Sequence, residues 1–191
     1  MTNIAWIDVE TNGVEAEKDV LLEIACIITD SELNIIDEEG FKACVHYTPE
    51  EVSRIVNRTS EYVINMHNQT NLWNRVSSEG VSLSIIESCL LAYIQKYIPE
   101  PKTGRLAGNS ITLDRNFVNK FLPAVGDHLS YRSYDVSTLA GLAVNWYGPE
   151  VVYKKKTLHS AFSDITESIE ELKFLRSKVF KTPEEFAALM K

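Results

Sequence analysis

The chain lacks any apolar run near the roughly 20 residues that a bilayer-spanning helix needs. Its opening stretch, MTNIAWIDVE, has no charged n-region and no small-residue cleavage site. These two absences predict a cytoplasmic protein with no membrane partner. Cysteine is scarce: Cys26, Cys44 and Cys89 are odd in number and far apart, which fits neither a disulfide framework nor a zinc site. Buried, reduced thiols are expected instead. Basic charge is also short, with 19 Lys and Arg against 27 Asp and Glu and a net charge of −8. That balance disfavours a protein that grips long nucleic-acid duplexes. Gly-x-x-x-x-Gly-Lys, Gly-x-Gly-x-x-Gly and His-Glu-x-x-His are all missing, which removes the P-loop, dinucleotide-fold and zincin chemistries.

At 191 residues and 45% hydrophobic, the chain can bury one sizeable core, and residues 1–191 are read as one domain. Residues 4–9, 20–30 and 33–46 predict three successive strands, with turns at Asn12-Gly13 and around Ser31. Residues 82–98 predict a strong helix with Leu83, Ile86, Leu90, Leu91 and Ile94 on its apolar face. Val52, Ile55, Val56 and Val63 mark inward positions of an earlier helical stretch. Further on, a short strand at Leu106-Ala107 leads into a helix holding Phe117, Phe121 and Leu122. A strand over 131–136 then enters a helix capped by Ser137 or Thr138, followed by helices over about 160–177 and after Thr182-Pro183-Glu184. Strands first, then helices alternating with single strands, give an α/β class with a mixed central sheet flanked by helices.

Acidic residues at element ends carry the chemical signal. Asp8 and Glu10 follow the apolar run Ile4-Ala5-Trp6-Ile7, and side chains two apart on a strand share a face. Unpaired charge beside a core is costly, and a divalent cation is the usual remedy. Asp114 stands at the start of a helix, Asp164 lies in a late helix, and His159 precedes Asp164 near that helix's beginning. Carboxylate oxygens suit Mg²⁺ or Mn²⁺. Phosphodiester cleavage by two such ions, about 4 Å apart, needs acids to hold both and a base for the attacking water. A histidine titrating near neutrality suits the base. Four acids around two ions also leave the site near neutral, so the overall negative charge does not exclude an enzyme acting on short strands.

The order of these residues and the motifs around them resemble the DEDDh 3′-to-5′ exonucleases, which have an RNase H-like fold. Four residues separating the histidine from the last aspartate mark that subclass. Within it the chain resembles the oligoribonuclease family over nearly its whole length, through IAWIDVETNG, LLEIACIITDSELNII, MHNQTNLWNRV, GNSITLDRNFVNKFLP, YRSYDVSTL and HSAFSDITESIEEL. The pairing of GNSI-xx-D with DVSTL is specific to that family. The resemblance implies that Asp8 bridges two metals, that Glu10 and Asp164 complete one and Asp114 supports the other, and that His159 deprotonates the water. It places Val14 and Tyr62 where the family clamps bases, and His67 close to the site. Ser110, Ser137 and Thr138 would meet a 5′-phosphate. Tyr131 and Arg132 would reach into the partner's site of a homodimer. The substrates implied are short single-stranded oligoribonucleotides, cut to nucleoside 5′-monophosphates. The alternative is a broader enzyme of the same superfamily acting on single-stranded DNA or longer RNA. Thr11-Asn12-Gly13 stands where the family usually has Met-Thr-Gly, Tyr62 where tryptophan is usual and Asn71 where glycine is usual. None of these falls on a metal-ligand position.

Each residue also has a plainer reading. Asp8-Val9-Glu10 could be an ordinary strand exit, and Asp114 and Asp164 could be charges complementing helix dipoles. Ser137-Thr138 could be a simple cap, which is compatible with anion binding at a helix start. Tyr62, Trp73 and Tyr131 could be core aromatics. Lys154-Lys155-Lys156 reads as a solvated loop, with a substrate-phosphate role as the alternative. His46 and His128 are read as structural.

Overall fold

The apolar run that begins at Ile4 becomes the middle of a sheet. In the computed structural model, which describes residues 2–154 and 161–190, β1 (Ile4–Thr11) is followed by β2 (Leu21–Thr29), β3 (Phe41–Cys44), β4 (Arg105–Gly108) and β5 (Ser133–Asp135). The strand order is β3-β2-β1-β4-β5. β1, β2 and β3 run antiparallel, and β4 and β5 run parallel to β1, so the sheet is mixed as expected. The helices are α1 (Pro49–Val56), α2 (Glu61–Gln69), α3 (Leu72–Ser78), α4 (Leu83–Tyr97), α5 (Thr112–Phe121), α6 (Pro123–His128), α7 (Val136–Tyr147), α8 (Ala161–Val179) and α9 (Pro183–Leu189).

Both faces of the sheet are covered, which is why β2 is apolar at nearly every position. On one face Ala5, Ile7 and Val9 pack with Ile86, Leu90 and Ile94 of α4 and Phe117 and Val118 of α5. On the other, Ile4, Trp6, Ala25 and Ile27 pack with Val136 and Ala143 of α7 and with Ile165 and Ile169 of α8. The Trp6 indole on that second face donates to Thr29 Oγ1 at 2.9 Å, so its one polar atom is satisfied. Among the described residues no helix is long and apolar enough to cross a membrane.

Several elements are shorter than the sequence pattern predicts. The stretch over 33–46 yields only Phe41–Cys44, because Leu33 (φ 70°) and Gly40 (φ 58°) take left-handed backbone conformations that break a strand. Ile35 keeps a single bridge to Thr29. The strand over 131–136 shrinks to Ser133–Asp135, since Val136 already begins α7. The cap of α7 is Asp135, whose side chain accepts from Ser137 N, so the expected Ser137 or Thr138 cap is corrected. The short α6 was not foreseen; Pro123 opens it directly after α5. Cys26 and Cys44 are buried as expected, whereas Cys89 is exposed on the outer side of α4.

The edge of β1 towards β4 positions the site. β4 pairs with β1 only from Ile4↔Arg105 to Trp6↔Ala107 and then stops at Gly108. A Cβ at Gly108 would stand 3.2 Å from the Ile7 carbonyl and 2.9 Å from Ile111 Cδ1, so a side chain here would crowd the β1 backbone and push Ile111 aside where the chain turns away. Past that point, the backbone of β1 on this side must find another partner.

Leu90 is fully buried, while Ile85 on the same helix is 53% exposed. Leu90→Ala should cost about 2–5 kcal/mol in urea unfolding, and Ile85→Ala within about 0.5 kcal/mol. Similar costs at both positions would mean that α4 is rotated about its axis.

Candidate active site

The partner that β1 finds is Asp114. Its Oδ1 accepts from Val9 N at 3.0 Å, filling the place a β4 residue would have taken. Asp114 sits in the first turn of α5, three residues before the buried Phe117, so the packing of that helix fixes where the carboxylate points. Asp8 and Glu10 project to the other side of the sheet, and Asp164 arrives there from the first turn of α8, next to buried Ile165. Oxygens of Asp8, Glu10 and Asp164 lie within 4.8 Å of one another.

The electrostatics follow from crowding like charges in a partly buried pocket, where Glu10 is buried and Asp8 and Asp164 are half-buried. Burial raises the Asp8 carboxyl well above the usual range, and the nearby charges of Asp114, Glu10, Asp164 and Glu23 push it further. Glu10 is pushed up to about 8, by burial first and then by Asp164, Glu23 and Asp114. Asp114 rises to about 7 through burial, against the opposing pull of the Val9 N–H. Such a set of oxygen donors gains by exchanging its protons for a hard divalent cation. The residues therefore fit the Mg²⁺ or Mn²⁺ that their chemistry calls for.

His67 closes the pocket from α2. Its Nε2 is 2.8 Å from the Thr11 carbonyl, which can only accept, so the ring proton sits on Nε2. Nδ1 is then bare and lies 3.8 Å from Glu10 Oε2. Burial lowers the His67 pKa below its ordinary value, partly offset by Thr11 and Glu23. Trp73 packs edge-on against the ring at 5.2 Å and donates to the Ile64 carbonyl.

The expected substrate residues fall into three places. Val14 (74% exposed) and Tyr62 (73% exposed) lie on two segments tied together near the end of β1. The ties are Asn12 Nδ2 donating to Thr59 Oγ1 and His67 meeting Thr11. At the start of α7, the Ser110 and Ser137 hydroxyls lie 3.2 Å apart. Ser110 takes a left-handed φ of 51°, an uncommon state for a residue other than glycine. Its N–H is already given to Asp135 and Ser137. Thr138 is exposed one residue further on. Tyr131 (81% exposed) and Arg132 lie apart from both groups; the guanidinium stacks on the tyrosine ring 5.5 Å away and donates to its hydroxyl. His159, Lys155 and Lys156 lie outside the described residues. Buried His128 is structural, its Nε2 2.8 Å from the Ile98 carbonyl.

Sequence reasoning passed over Glu23, Arg75 and the Asn109–Ser168–Glu171 group. Glu23 is the register partner of Glu10 and is held by Arg75. Asn109 donates to Ser168 Oγ and Glu171 Oε2, which ties the Ser110 turn to α8. The signal for Glu23 was present as a lone acid inside the apolar run LLEIACIIT.

A family model described as Exonuclease matches residues 5–172. An oligoribonuclease of Pseudomonas syringae pv. tomato is 39% identical over 179 residues, covering 94% of this chain and 97% of its own. One from Mycobacterium leprae is 38% identical over 183 residues, covering 94% and 82%. A probable oligoribonuclease of Drosophila melanogaster is 39% identical over 183 residues, covering 94% and 83%. Among solved structures, exonuclease I from Methylocaldum szegediense matches with a TM-score of 0.69 at 14% identity. E. coli exonuclease I in complex with a dA16 oligonucleotide matches with a TM-score of 0.67 at 15% identity. Each covers all of this chain, which spans only 43% of theirs. At that identity the likeness shows the fold, an RNase H-like one. The matched span of residues 5–172, together with relatives near 39% identity along almost the whole length, places this chain in the exonuclease family, among the oligoribonucleases.

Proposed function

We propose that this chain is a 3′-to-5′ exoribonuclease that removes nucleoside 5′-monophosphates from short single-stranded oligoribonucleotides. The observation that carries the reading is the convergence of Asp8, Glu10 and Asp164 within 4.8 Å at the end of β1. Asp8 would hold two divalent cations, Mg²⁺ or Mn²⁺, with Glu10 and Asp164 completing one site and Asp114 supporting the other. Such ions would stabilise the attacking and leaving oxygens of the displacement. His159 would take the proton of the attacking water as its oxygen bonds to phosphorus and the bond to the 3′ oxygen breaks. His67 would line the pocket beside Glu10 as a neutral ring that adds no charge.

Val14 and Tyr62 would clamp the terminal bases; stacking on an aromatic ring is worth about 1–3 kcal/mol per base. The 5′-phosphate would meet the Ser110, Ser137 and Thr138 hydroxyls. The N–H groups of Ser110 and Ser137 serve Asp135 and Ser137, and the Ser137 hydroxyl donates to Asn109 Oδ1, so a bound phosphate would draw the hydroxyls away from these internal partners. A phosphate anchored at that point limits how long a strand can fit. Tyr131 and Arg132, projecting as a stacked pair, would complete the partner's site in a homodimer. Residues 1–191 would act as one domain, and the free cysteines suit the reducing cytoplasm.

Degrading labelled strands of two to about ten nucleotides, as RNA and as DNA, should give kcat/KM values highest for the shortest RNAs. Equal rates at all lengths would favour the broader exonuclease reading. Asp8→Asn should abolish hydrolysis and, without divalent ions near pH 8, raise Tm by a few degrees. The sign follows from the raised carboxyls. Glu10 and Asp114 are raised to about 8 and 7 in the folded protein from ordinary carboxyl values of 4.5 and 3.8. Their contribution is full below about pH 4 and is lost as pH rises towards 8. Thermal melts of the metal-free protein should therefore show stability falling from about pH 4.5 to 8, and Mn²⁺ reversing the fall at the upper end. Finally, Arg132→Ala should lower activity, and mixing it with Asp8→Asn protein should restore part of the rate. No restoration would mean that each protomer's site is self-contained.

A further inference from the structure

Glu10, Glu23 and Cys44 form one row across the sheet. Glu10 on β1 is the register partner of Glu23 on β2, and Glu23 is the partner of Cys44 on β3. Residues paired across antiparallel strands lie on the same face, so the row leads outward from the acidic pocket. Arg75 of α3 closes its outer end. One guanidinium nitrogen donates both to Glu23 Oε1 and to Cys44 Sγ, the latter at 3.2 Å. Arg75 Nε lies 3.5 Å from Glu79 at the surface. Glu23 is buried, and its charge is felt by both Asp8 and Glu10.

We propose that Arg75 is a positioning residue: it pins Glu23 on the α3 side of the sheet and cancels its charge, and this pair sets how tightly the Asp8–Glu10–Asp164 pocket holds a divalent cation. The inference rests on reading that pocket as a cation site. Freed of Arg75, Glu23 is both an extra negative charge and an extra oxygen donor beside Glu10. One charge acts on a divalent cation twice as strongly as on the proton that competes for the same carboxylate. The sign is therefore fixed. Losing Arg75 tightens cation binding, losing Glu23 weakens it, and losing both returns it to the starting value. A merely structural pair would move the two single variants in the same direction.

Mn²⁺ titration calorimetry on the full-length, metal-free protein tests this, with the Mn²⁺-induced rise in Tm as a second readout. Glu23→Gln, which keeps the side-chain shape, should weaken binding about tenfold, the scale of one charge nearby in a partly solvated pocket. Arg75→Met should tighten it by a similar factor, and Arg75→Lys should leave it within about threefold. The double variant Glu23→Gln with Arg75→Met should bind like the parent. If Arg75→Met does not fold, Glu23→Gln against the double variant decides, and Glu23→Gln alone suffices if neither Arg75→Met form folds. Unchanged binding in Glu23→Gln, a double variant no tighter than Glu23→Gln, or single variants shifted the same way overturns the role of the pair. Asp8→Asn separates this from the site itself: if it abolishes Mn²⁺ binding the pocket stands whatever the pair does, and if binding persists the pocket reading fails.

Discussion

The carboxylates of Asp8, Glu10 and Asp164 meet within 4.8 Å, with Asp114 bonded to the strand between the first two. Nothing in the stability of the sheet calls for them there. Crowded acids lose hydration and repel one another, and both effects raise their affinity for protons. The opposing force comes from elsewhere, from the two apolar cores that clamp β1 from above and below. Those cores are large enough to hold a strained cluster at the end of a central strand. The same strain makes the cluster receptive to cations, because binding relieves the repulsion.

The two faces divide the work. α5 packs on one face through Phe117 and Val118 and sends Asp114 to the β1 backbone. α8 packs on the other through Ile165 and Ile169 and sends Asp164 to Asp8 and Glu10. A pocket in the middle of either face could be reached by only one helix layer. At the end of β1, beyond the last residue paired with β4, both layers reach it. The early stop of β4 at Gly108 is thus as much a part of the site as the acids are.

Around that centre the polar contacts form separate ties. Asn12 and Thr11 join the end of β1 to the segments carrying Tyr62 and His67. Asn109 joins the Ser110 turn to α8, and Arg115 joins α5 to the loop bearing Tyr131 and Arg132 through Ser130 and Ser133. Each candidate substrate contact is anchored to an element that also carries an acid or borders one. Movement of one of these segments would therefore be felt at the pocket.

The sequence by itself determined the periodic elements and the identity of the acids. The apolar face of α4 with Ile86, Leu90 and Ile94, the buried run of β2, and Asp8 and Glu10 on one face of β1 all follow from local repeat and composition. Only the tertiary structure decided what meets what. The left-handed residues Leu33 and Gly40 cut a predicted strand short, and Asp135 took the cap expected of Ser137 or Thr138. Glu23 joined Glu10, and Arg75 joined Glu23, across separations of 13 and 52 residues that no local pattern encodes. The reason is physical: side-chain periodicity is set by the backbone within a few residues, whereas register, burial and charge pairing depend on which distant segments share a core.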